Sequence, residues 1–295
     1  MGQTRRDVLR RRRTLLAIAA AAGGLLACGD ERAAQVPADG QARPLVVVSV
    51  LPQAWFVDRI AEGGVRVVVM IPPGADPATL SPGFAELRSL AEAALYVKLG
   101  HPAFPFERAW LEKMISANEA LRVLDLSQGI ETVPDDPHYW VSPRHAHAIA
   151  AALASALAEI LPASRARIDA NRRRLDAEID AVDNALREQL EGRAGRRFLV
   201  FHPAWGYLAR EYGLTQVAIE RGGKSPGARA LARRIEWARQ TGVEIVFSQP
   251  QGDDSAAEVI AAEIGARVEV LDPLAYDWAA NLREVGPALA EGLVP

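Results

Sequence analysis

Two series of four short apolar runs, each broken up by helical stretches and separated by one long amphipathic segment, constrain this chain more than any other feature. The first series falls at residues 45–50, 65–71, 94–99 and 121–126, and the second at 198–201, 216–219, 243–247 and 267–271. Apolar, β-rich runs that alternate with helical stretches such as 228–240 and 256–264 read as buried strands of parallel sheets. Between the series, Leu175, Ile179, Val182, Leu186 and Leu190 recur at steps of four, three, four and four, with Arg, Asp and Glu between them. Such a stripe predicts one amphipathic helix over 164–192, and it covers too few heptads to favour a coiled coil. At 1.5 Å per residue that helix reaches ~40 Å, enough to run along both lobes as a strut. The expected fold is therefore α/β, with two lobes, each a parallel sheet flanked by helices, joined by one long backbone helix. The lobes would span 44–163 and 193–295.

The N-terminus is set apart by charge. Arg5, Arg6, Arg10, Arg11, Arg12 and Arg13 precede an apolar run over 14–27. The run is shorter than the ~20 residues a spanning helix needs, so it reads as the core of a cleaved export signal. The segment 4–10 also resembles a twin-arginine export pattern, with Val8 where that pattern often has Phe. Leu25-Leu26-Ala27-Cys28 resembles a bacterial lipobox. Residues 1–28 are thus expected to be a lipoprotein signal peptide. Cys28 would be the lipid-bearing mature N-terminus, and 29–43, rich in Ala, Gly, Pro and charge, a flexible tether. The expected location is extracytoplasmic, periplasmic or at the cell surface, with the membrane reached through the lipid. Cys28 is the only cysteine, so no disulfide can form within the chain. A net charge of −3 gives no reason to expect a nucleic-acid partner.

In open parallel sheets, ligands bind beyond the carboxyl ends of the strands. Here the run 94–99 leads into Gly100-His101-Pro102, 198–201 into His202-Pro203, 243–247 into Ser248-Gln249-Pro250, and 267–271 into Asp272-Pro273. Proline after each stops the strand and stiffens the turn. A further histidine, His138, lies in Asp135-Asp136-Pro137-His138-Tyr139-Trp140, just before a helix expected to begin near Pro143. A lone histidine at a strand end is usually a hydrogen-bonded structural residue. Three histidines and an aspartate meeting in one cleft would instead supply the nitrogen and oxygen donors of a four-coordinate zinc site.

On these residues the chain resembles the zinc and manganese solute-binding proteins of ABC importers, the group with a helical backbone between two lobes. Asp136-Pro137-His138-Tyr139-Trp140 is similar to that family's Asp-Pro-His-x-Trp ligand motif. The segment 201–207 followed by 211–214 is similar to its third ligand segment, and Leu271-Asp272-Pro273-Leu274 to its acidic fourth. Pro72-Pro73-Gly74-Ala75-Asp76-Pro77 looks like its first-lobe loop, but Ala78 stands where the family usually has a histidine. His101 is the candidate replacement, which gives the expected ligand set His101, His138, His202 and Asp272 for Zn2+, with Mn2+ or another divalent cation as the alternative cargo. The resemblance implies an importer permease as partner, a metallochaperone as a second candidate partner, a monomer, and no enzymatic activity.

Other residues carry weaker expectations. Glu107 is either a donor, an orienting partner for His101, or a carboxylate at a helix start. His145 and His147, two apart on one helix, point in different directions and do not chelate together. A binding protein for a metal chelate or tetrapyrrole is the runner-up reading. A secreted zinc hydrolase, with Glu107, Glu220 or Asp253 as general base, ranks lower because no His-Glu-x-x-His motif occurs.

Overall fold

The computed structural model describes residues 43–295 apart from 117, 221–226 and 253, and apart from the side chains of residues 114 and 254. The expected signal peptide, Cys28, residues 29–42 of the tether, and Asp253 lie outside the described residues.

Both series of apolar runs form parallel sheets. The first lobe contains β1 (Leu45–Val48), α1 (Leu51–Ala61), β2 (Arg66–Val69), α2 (Phe84–Glu92), β3 (Leu95–Lys98), α3 (Pro105–Ile115) and β4 (Arg122–Asp125). Its sheet has the order β2-β1-β3-β4. Two helices follow, α4 (Pro143–Ile160) and α5 (Arg165–Gln189). The second lobe adds β5 (Arg197–Val200), α6 (Gly206–Glu211), β6 (Thr215–Ala218), α7 (Ala228–Thr241), β7 (Ile245–Ser248), α8 (Asp254–Ile264), β8 (Arg267–Val270) and α9 (Trp278–Glu291). Its sheet repeats the pattern as β6-β5-β7-β8.

The strands are not uniformly buried, which corrects one expectation. Central strands β1 and β7 are wholly buried, and β3 and β5 nearly so. The edge strands β2, β4, β6 and β8 are only partly covered, and Val123 and Val270 are exposed. An edge strand has one neighbour and ends the layer that the flanking helices cover, so a four-stranded sheet buries its two middle strands best.

The backbone helix is α5, 25 residues and therefore ~37 Å long. Its buried positions Ile168, Asn171, Leu175, Ile179, Val182 and Leu186 form the stripe that the sequence spacing predicts. It is not a bare strut. α4 packs along it, α1 of the first lobe packs against both, and α9 of the second lobe packs on α5. One continuous apolar core consequently runs from Val46 and Trp55 through Leu153 and Val182 to Phe198 and Trp278. A smaller core holding Leu199, Val246, Ala257 and Ile260 covers the other face of the second sheet. The period of two along β5 assigns Phe198 and Val200 to the shared core and Leu199 to the outer one. Two lobes with a common core resist wide hinge opening. Among the described residues no helix is long and apolar enough to cross a membrane.

Candidate metal centre

The segment 133–142 is the joint between the lobes, and it carries His138. The Asp136 carboxylate accepts the His138 backbone N–H at 3.0 Å and faces His138 Nδ1 at 2.8 Å. A carboxylate only accepts, so Nδ1 carries the proton and Nε2 keeps its lone pair. Burial pushes the His138 imidazolium below its ordinary pKa, against the pull of Asp136, and the neighbouring His202 and His101 add to the lowering. The neutral ring is the metal-binding form.

His202 follows β5 and repeats the arrangement, with Nδ1 3.1 Å from Glu220 Oε2 at the end of β6. The His138 and His202 rings meet edge to face with centroids 5.3 Å apart. Two imidazoles bound through Nε2 to one tetrahedral ion, with Zn–N of ~2.0–2.1 Å, have centroids ~5 Å apart. The pair is thus spaced for one ion, and a carboxylate stands behind each ring.

Asp272 follows β8. Its Oδ1 accepts from Gln251 Nε2 at 2.7 Å and from the Leu274 amide at 2.8 Å. Its loop is brought to the joint by Trp140, whose indole N–H donates to Pro273 O at 2.7 Å. Trp140 also packs on the His138 ring, with centroids 5.2 Å apart.

His101 is placed differently. It is 3% exposed, its Nδ1 accepts from the Ala103 amide at 3.0 Å, and its Nε2 lies 2.9 Å from Val133 O. Both ring nitrogens are therefore engaged, with the proton on Nε2. Coordination through Nε2 requires that proton to move to Nδ1, where it opposes the Ala103 amide. Both hydrogen bonds are then given up, at about 1–3 kcal/mol for each buried group left unpaired. Among the described residues no three His, Cys, Asp or Glu side chains converge closely enough to hold an ion. The structure brings together His138 and His202, and leaves His101 on Val133 and Asp272 on Gln251.

Glu107 is a positioning residue for the His101 loop. Its carboxylate accepts from Ser49 Oγ at 2.6 Å, from the Leu99 amide at 2.6 Å and from the Gly100 amide at 2.8 Å, and burial raises its pKa. Tyr139 Oη donates to Leu99 O, so both faces of the loop are pinned. Gly100 has φ +75°, and a Cβ there would run into the Asp125 carboxylate. Ala78 is exposed, with its amide on Asp76 Oδ1. His145 and His147 diverge as expected, the first toward Tyr207 and the second between Asp176 and Asp180.

Three contributors escaped the strand-end reading. Asp136 had a signal in its position two residues before His138, which suits an Asx turn. Glu220 sits one residue past the 216–219 run, where the same rule locates ligands. The Val133 carbonyl, a backbone group, had none.

Gly206 lets the second lobe approach this joint, because a Cβ there would collide with Asp136 Oδ2. Its substitution has a clear expected outcome. Gly206→Ala should fold, since alanine has a higher helix propensity than glycine, yet it displaces the carboxylate that orients His138. Zinc affinity should fall about tenfold, the lower end for loss of an outer-sphere partner. A zinc titration of the variant checks this.

Parallel-sheet lobes on a shared helical spine, with two anchored imidazoles close together at the joint between the lobes, define a two-lobed solute-binding protein. The chain belongs to the ZnuA family, described as the periplasmic component A of a zinc-uptake complex, whose model matches residues 46–291. It is 26% identical to the high-affinity zinc uptake system protein ZnuA of Bacillus subtilis (strain 168), over 84% of each chain. It is 24% identical to the zinc-binding lipoprotein AdcA of Streptococcus pneumoniae serotype 4, matching 85% of this chain but about half, 52%, of that one. A crystal structure of ZnuA superposes with a TM-score of 0.81 and 38% identity, covering 85% of this chain and 99% of the other. The Zn(II)-bound ZnuA-like domain of Streptococcus pneumoniae AdcA shares the fold, with a TM-score of 0.72 at 21% identity, over 85% of this chain and 99% of that domain.

Proposed function

We propose that this protein captures one zinc ion between its lobes and passes it to the permease of an ABC importer. The observation that carries this reading is the His138–His202 pair, spaced for one tetrahedral ion with each Nδ1 turned to a carboxylate. Asp272 supplies an oxygen from the second lobe. His101 completes the set by exchanging Val133 for the ion, so the site assembles on loading and is not preformed. Three imidazoles and one carboxylate favour Zn2+ over Mn2+, whose sites carry more oxygen donors. The zinc-binding roles in the names of the relatives agree with that choice.

In this account residues 1–28 direct export, Cys28 carries a lipid, 29–43 tether the globule, and the lobes and spine span 44–163, 193–295 and 164–192. The protein acts as a monomer without catalysis, and a metallochaperone is a candidate loading partner. Incorporation of labelled fatty acid in the wild type but not in Cys28→Ser tests the anchor. Calorimetry near neutral pH tests the central reading. One Zn2+ should bind per chain, and zinc at a hundredfold excess over Kd should raise Tm by about 5 to 10 °C. Absence of saturable binding would refute it.

A further inference from the structure

Asp272 is held through one of its two oxygens. Oδ1 accepts two hydrogen bonds, from Gln251 Nε2 at 2.7 Å and from the Leu274 amide at 2.8 Å. A carboxylate oxygen has two lone-pair sites, so this oxygen is fully used. No hydrogen bond from the described residues reaches Oδ2. The Gln251 amide is oriented by chemistry: an ionised carboxylate cannot donate, so nitrogen must face it. Its other end then bears a cost. Gln251 is 8% exposed, and its Oε1, like Ser248 Oγ at the end of β7, is buried without a partner among the described residues. A buried unpaired acceptor costs about 1–3 kcal/mol, so the contact to Asp272 is kept despite the packing and not because of it.

The constraint acts on metal choice. Zinc is satisfied by four donors and needs one oxygen from an aspartate. Harder, oxygen-seeking divalent cations take more ligands and profit from a carboxylate that binds through both oxygens. We propose that Gln251 is a specificity-determining residue, which occupies Asp272 Oδ1 and so restricts this carboxylate to one-oxygen coordination, favouring zinc over manganese. The inference rests on Asp272 being a ligand, as argued above.

The Leu274 amide alone leaves one lone pair of Oδ1 open, so removing the Gln251 donor permits two-oxygen binding. Gln251→Met keeps length and apolar packing while deleting the N–H. Gln251→Leu also deletes the donor without adding charge or a new oxygen, and serves if the first variant folds poorly. Competition titrations of the purified proteins with Mn2+ and Zn2+, alongside Asp272→Ala, are the test. In either Gln251 variant the affinity ratio should move toward manganese by about tenfold or more. Asp272→Ala should lose zinc affinity. A ratio within about twofold of wild type in both Gln251 variants, with Asp272→Ala still impaired, overturns the role of Gln251 alone. Wild-type zinc affinity in Asp272→Ala removes Asp272 from the ligand set and takes the inference with it.

Discussion

Replacing His138 or His202 by alanine is expected to lower zinc affinity by at least ~100-fold, the upper end of what loss of an outer-sphere partner costs. Each ring offers one nitrogen, because the other is tied to Asp136 or Glu220. Both variants should remain folded, since both rings reach the surface of the cleft, with side chains 14% and 24% exposed. The loss should appear in zinc titrations while the thermal transition of the metal-free protein moves little. His101→Ala should lose less, at least ~tenfold, because part of the zinc–nitrogen gain is offset by the two hydrogen bonds its ring surrenders. Wild-type affinity in His101→Ala leaves the fourth position to water. Wild-type affinity in all three variants ends the metal reading.

The second large effect falls on stability. Trp140 is 2% exposed and stands at the crossing of the lobes. Its indole N–H holds Pro273 O, its carbonyl accepts from the Trp278 indole at 2.7 Å, and Trp278 packs against Trp55 and Phe56 of α1. One side chain and its backbone thus join the His138 turn, the Asp272 loop, and helices from both lobes. Trp140→Ala should cost about 3–5 kcal/mol from the cavity and lost contacts. For a chain of this size that lowers Tm of the metal-free protein by about 6 to 20 °C. Zinc affinity should fall as well, because Pro273 is released and Asp272 moves with it. Trp140→Phe keeps most of the packing and deletes the N–H, so it should recover most of the stability but not all of the affinity. Thermal melts and zinc titrations of the two variants separate these effects. A Trp140→Ala protein that melts with the wild type would contradict the shared core.

Legibility of the fold followed the range of the forces involved. Strand positions, the α5 stripe and the strand-end placement of His202 and Asp272 all express local periodicity, and each element lies where that periodicity located it. The partial exposure of β2, β4, β6 and β8 depends on strand order, which no single run of residues encodes. The joining of the lobes through α1, α4, α5 and α9 was equally hidden, because α1 and α9 reach α4 and α5 from distant parts of the chain. In the site, His138 was legible through its Asp-Pro-His motif. His101 shows the limit of that reasoning: its place after a strand was legible, but its engagement with Val133 is set by a loop from elsewhere in the chain. Gln251 was passed over because glutamine in a turn carries no sequence signal, and its importance comes from a single hydrogen bond to Asp272.

A crystal structure of the zinc-loaded protein should hold one ion between the lobes with Nε2 of both His138 and His202 at ~2.0–2.1 Å, an oxygen of Asp272 bound, and His101 Nε2 turned from Val133 to the metal. An ion bound away from the His138 and His202 rings, with both rings free, would contradict the proposed site.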